Sequence, residues 1–258
     1  MRLLTALPLT LALLGASPAQ AQGFMSLLGK KEEPKKEASS TDSAMAVVAA
    51  VAVMDPDALM AEGGRIILFS TTATLLAMSA AEQMCEAFPK EKVELIKANF
   101  AKFNELNAKR KEGEALDATQ NTLVSETFLM VQKLDPKSYQ KDKAKVVRPA
   151  YAKLGLAVAA DLAAASQVPG FLKNGQATIS SLSSNPFQLM KLKKITGVIG
   201  TLGVIAKTTP DQIRAFQTVR TIAKTIAEAE NFQLGEAAAP ITDMASLTTA
   251  AKSVPEEG

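Results

Sequence analysis

Residues 195–206, ITGVIGTLGVIA, combine bulky aliphatics with three glycines and no charge, bracketed by Lys191, Lys193, Lys194 and Lys207. Wound as a helix, the run places Ile195, Val198, Ile199, Leu202, Ile205 and Ala206 on one stripe, the spacing of a core-facing helix. Thr196, Gly200 and Gly203 cluster away from that stripe, with Gly197 at their edge. One side is bulky and the other is nearly bare backbone. Each glycine costs roughly 1 kcal/mol against Ala inside a helix. Close approach of a second helix to the bare side is the expected compensation. Ile, Val and Thr also suit a glycine-interrupted strand. A helix is favoured because Asn185-Pro186-Phe187-Gln188 gives the stretch a capping-box start.

The chain has 258 residues, 47% of them hydrophobic, so it can bury a sizeable core. With no Trp and two Tyr, the apolar content is mainly aliphatic, which suits packed helices. No His occurs anywhere. That excludes Ser-His-Asp and Cys-His catalysis and imidazole metal ligands. Lys- or carboxylate-based chemistry stays open; of the pairs Asp55/Asp57, Glu82/Glu86 and Glu228/Glu230, only Glu82/Glu86 would share a helix face. The G-V-I-G-T-L-G run lacks the strand, spacing and acidic partner of a dinucleotide site. No C-x-x-C or Glu-x-x-His pair offers a metal or di-iron centre. The net charge of +3 is interspersed, without the basic face and aromatic platforms of a nucleic-acid binder. No catalytic residue, metal ligand or cofactor is expected.

Residues 1–21 have a basic start at Arg2, an apolar centre and an Ala19-Gln20-Ala21 cleavage site, the grammar of a bacterial secretory signal. Residues 22–42 read as a flexible tether. Cys85 is the sole cysteine. It reads as a buried small hydrophobe, or as one half of an intermolecular disulfide.

A helical bundle is expected over 43–232 and a flexible tail over 233–258. Ser43 caps a short apolar helix to Met54. Asp55 and Pro56 start another turn, and Gly63-Gly64 interrupts the chain. Residues 66–81 carry no charge and form a central buried helix; with 43–54 they could alternatively form a membrane-inserted hairpin, though both fall short of a spanning length. An amphipathic helix follows Pro89, and Asp117 opens a capping box. Asp161 is expected to be exposed or paired with Lys153 or Lys173. Val168-Pro169-Gly170 reads as a turn, and Thr209-Pro210-Asp211-Gln212 as the clearest capping box. The last two helices should then form an antiparallel hairpin.

The resulting expectation is an all-α bundle of six to eight helices with a C-terminal antiparallel helical hairpin. Its function reads as an exported, periplasmic, non-enzymatic scaffold or interaction protein of the cell envelope, self-associating or docking to a membrane-bound partner. Gly197, Gly200 and Gly203 form the candidate interaction face, and Lys191, Lys193 and Lys194 a candidate contact to a membrane surface. The alternative is a periplasmic carrier of a lipid or other apolar ligand, gated by the soft stretch 171–184.

Overall fold

A computed structural model describes residues 53–111, 113–183, 188–235 and 241–254, and among these no strand occurs. The described helices are α1 (Pro56–Cys85), α2 (Lys90–Ala108), α3 (Ala118–Val131), a 3-10 turn (Lys141–Val146) running directly into α4 (Val147–Leu182), then α5 (Leu189–Ala229) and α6 (Met244–Ser253). The all-α, multi-helix expectation therefore holds. Residues 1–21, the tether, most of 43–54 and the 185–187 cap lie outside the described residues.

Local sequence explains the helix starts. Asp55 Oδ1 accepts from the backbone N–H groups of Asp57 and Ala58 at 3.0 and 3.1 Å, with Pro56 in the first turn of α1. Asp117 and Gln120 form a reciprocal capping box at 2.8 and 2.9 Å. Asp243 and Ser246 do the same for α6. That last helix corrects the expected C-terminal tail: Leu247 is fully buried and Ile241 nearly so.

Three long helices carry the core, and each has a buried seam stepping alternately by three and four residues. In α1 it is Leu59, Gly63, Ile66, Ser70, Ala73, Ala77, Ala80 and Met84. In α4 it is Val147, Ala150, Leu154, Ala157, Asp161, Ala164, Val168, Phe171, Gly175 and Thr178. In α5 it includes Ile195, Leu202, Thr209, Phe216, Val219, Ala223 and Ile226. A period near 3.5 keeps a seam on one side of a long helix and lets side chains interdigitate. Gly63 lies against Phe171 and Val198, Ser70 against Asp161, and Lys153 donates to Gln83. α4 is thus antiparallel to α1. Gly175 against Ile199 and Tyr151 against Arg220 make it antiparallel to α5 as well.

The α2–α3 pair covers the later halves of α1 and α5, with Phe100, Phe103 and Phe128 buried. Phe128 meets the Phe216 ring at 4.7 Å between centroids. α1 and the Lys141–Leu182 unit are long and apolar enough to cross a membrane by length and composition. Yet 61% and 56% of their most apolar windows are buried inside the protein, as core helices require.

Three expected interruptions are absent. Gly63-Gly64 lies within α1, Val168-Pro169-Gly170 within α4, and Pro210 within α5. The expected C-terminal hairpin is one helix of 41 residues, about 60 Å long. Both prolines occupy exposed positions of their helices, away from the seams. The seams run through them in phase, and packing outweighs the local breaker. Thr209 does not cap a helix; its hydroxyl donates back to the Ile205 carbonyl at 2.7 Å.

The close helix approach expected at residues 197–203 occurs at other glycines. A Cβ on Gly63 would collide with Val198 Cγ1 and lie 2.8 Å from Phe171 Cζ; one on Gly175 would lie 2.8 Å from Ile199 Cδ1. Adjacent Gly64 has nothing within 4 Å of the same position. Gly63→Ala should therefore destabilise the fold by about 1–3 kcal/mol. Gly64→Ala should stabilise it by up to about 1 kcal/mol. Denaturant unfolding of the two variants beside the native chain measures both; equal effects would show that the seam is not packed as described.

Candidate functional site

The outward face of α5's first half is the surface to which the sequence assigned an interaction. Gly197 and Gly200 are exposed and Gly203 is half-buried, and a Cβ at any of the three would meet nothing within 4 Å among the described residues. The opposite side carries Ile195 and Leu202 into the core and seats Val198 and Ile199 against Gly63 and Gly175. Ala206, expected on the core stripe, is exposed. Around the glycines lie Leu189, Met190 and Val204, exposed by 61, 76 and 55%.

The lysine cluster divides. Lys191 Nζ bonds Asp57 Oδ2 at 2.8 Å, an exposed pair that ties the start of α5 to the start of α1. That hydrogen bond to Asp57 is the main reason the Lys191 ammonium titrates above its ordinary range. Lys193 and Lys194 are exposed and form no ion pair among the described residues.

Cys85 is fully buried. Burial pushes its thiol up to about 12; Lys97 opposes this, and Glu82 and Glu86 add to it. An intermolecular disulfide is not available to such a thiol without opening the end of α1. Native chain should accordingly react with a thiol reagent only after unfolding, which a comparison of labelling with and without denaturant reads directly.

Asp161, expected at the surface or beside a lysine, occupies a seam position of α4 and is fully buried. Ser70 Oγ donates to its Oδ1 at 3.5 Å, a long contact, and Oδ2 has no hydrogen-bond partner among the described residues. Burial raises its pKa from 3.8 to about 7, with Ser70 opposing the shift. The signal was present in the sequence: Leu154, Ala157, Asp161, Ala164 and Val168 keep one spacing, and it places the acid inside.

Ser70 also lines an open groove of about 280 Å³ with Thr71, Thr74, Asn121, Thr201 and Thr208. Its lining is uncharged, and several hydroxyls bond back to their own helix, as Thr74 does to the Ser70 carbonyl at 3.1 Å. Asn121, Thr208 and Gln212 also line a second open groove, of about 470 Å³, between α3 and α5. Val124, Phe128 and Leu129 line it on one side, and Asp211 and Arg214, themselves paired at 3.2 Å, on the other. Among the described residues no group of three or more His, Cys, Asp or Glu side chains is placed to hold a metal ion.

Compared with protein-family models, curated proteins and solved structures, the chain has no match.

The buried acid has a measurable consequence. The folded state holds the Asp161 proton more tightly than the unfolded chain does, so its stabilising share is complete below about pH 4 and is lost as pH rises towards 7. Across that window the native chain should lose on the order of 4 kcal/mol relative to Asp161→Asn. Denaturant unfolding of both proteins at several pH values tests this, and parallel pH profiles would show that Asp161 does not titrate in the fold.

Proposed function

We propose that the chain is an exported, non-enzymatic helical interaction protein of the bacterial cell envelope, docking to itself or to a membrane-bound partner through the outward face of α5's first half. One observation carries the reading. Gly197 and Gly200 lie in the middle of a helix with open space around them among the described residues, so no described neighbour offsets their cost of roughly 1 kcal/mol each against Ala. A face thinned to backbone is suited to close approach by an outside partner. Exposed Met190 and Val204 on the same face add apolar surface. Export is supported by the signal-like residues 1–21, and the non-enzymatic reading by the absence of His from the whole chain.

Bulk added to an open face tests the reading without touching the core. Gly197→Leu/Gly200→Leu should leave the isolated chain folded and at least as stable, yet abolish docking. Docking itself is read by cross-linking in cells from Thr196→Cys, with Lys102→Cys on α2 as the control surface; native Cys85 is too buried to compete. A larger species should form from position 196 alone and vanish with the double Leu change. Equal cross-linking from both positions, or its persistence with Leu at 197 and 200, would remove this face from the function.

A further inference from the structure

Residues 162–210 contain no Asp or Glu, yet carry Lys173, Lys191, Lys193, Lys194 and Lys207. They form much of α4's second part and the first half of α5. The acids at the borders do not offset this charge: Asp161 is fully buried, and Asp211 is bonded by Arg214. Asp57 of α1 is engaged by Lys191. Lys193, Lys194 and Lys207 are left exposed on the α5 surface that also shows Leu189, Met190, Gly197, Gly200 and Val204.

We infer that this face binds an anionic phospholipid surface, with the three lysines at the headgroup phosphates and Met190 and Val204 at the acyl boundary. The inference rests on the reading of this face as the docking surface and names its partner chemistry. Charge complementarity adds a lipid surface to that docking: unpaired lysines flanking isolated apolar side chains on one helix face are what an anionic bilayer attracts. Long lysine stems let the ammonium groups reach phosphates while the apolar neighbours sink. At Gly197 and Gly200 no side chain holds the backbone away from the headgroup plane. Each lysine near such a surface contributes roughly fivefold in affinity, an effect that salt screens.

The test uses the processed chain recovered from the periplasm. It is sedimented with vesicles of mixed phosphatidylglycerol and phosphatidylcholine, and with phosphatidylcholine vesicles alone. The expected result is binding to the anionic vesicles only, weakened by salt, and weakened tenfold or more in Lys193→Glu/Lys194→Glu. The same reversal at Lys97 and Lys102 on α2 should have little effect. The chain contains no Trp, so Val204→Trp gives a clean probe. Its emission should shift to the blue with anionic vesicles, while Leu95→Trp on α2 should not respond. Equal binding to neutral vesicles, indifference to the 193/194 reversal, or an unshifted residue 204 probe would each overturn the inference. If vesicles fail but position 196 still cross-links to a protein or a second copy, the lipid is wrong and the docking face stands. If both fail, the docking face is wrong too.

Discussion

The fold depends on one steric fit. Val198 and Ile199 of α5 press into space that exists only because α1 has no side chain at Gly63 and α4 has none at Gly175. Phe171 fills the remainder of the Gly63 site. Three helices of 30, 36 and 41 residues therefore meet closely at one end of the bundle. Their registers follow from that point: with Gly63 on Phe171, the antiparallel step brings Ser70 to Asp161 and then Gln83 to Lys153. A slip by one residue would turn each seam away from its partners, and a slip by a whole turn would set a Cβ against Val198. At the other end, where α2 and α3 join, larger side chains such as Phe100, Phe103 and Phe128 fill the wider space.

The Ser70–Asp161 layer is the polar exception in that seam. Replacing such a pair with well-packed aliphatics is commonly neutral or stabilising, so the layer is a weak source of stability. Its physical effect lies in register. Asp161 has one long contact to Ser70 and no cation, so any shift that removes Ser70 leaves a buried carboxyl with no partner at all. Ser70 also borders the hydroxyl-lined groove, so the buried acid is one side chain away from an open surface.

Where sequence reasoning succeeded and where it failed divide by the range of the interaction. The N-cap at Asp55 and the capping box at Asp117 are settled within four residues, and both are legible. The stripe Ile195, Val198, Ile199 and Leu202 was legible because a helical period is also local. Pro169 and Pro210 misled because a proline breaks a helix only when the lost hydrogen bond and the bend cannot be accommodated, and both lie on solvent faces. The continuing phase of Leu202, Ile205, Thr209 and Phe216 across Pro210 was the better guide, and it argued for one helix. Asp161 is a related case: its residue type points to the surface, whereas its seam position places it inside. Glycines were the least legible, since Gly63 and Gly197 look alike in sequence. What separates them is a partner helix more than a hundred residues away in the chain.

That difference between glycines bears on what α5 is for. Its second half is held by α3, with Phe216, Val219, Ala223 and Ile226 buried. Its first half is held on one side only, by α1 and α4. Extra helix length with an uncovered, glycine-thinned side adds little to the stability of the isolated chain, and the glycines subtract from it. Ala at 197 and 200 would favour the helix, since nothing among the described residues obstructs a methyl group there. Gly63 and Gly175 have no such freedom, because a methyl group there meets another helix. No packing among the described residues accounts for the outward glycines, and Met190, Val204 and the exposed lysines lie on the same side of the helix.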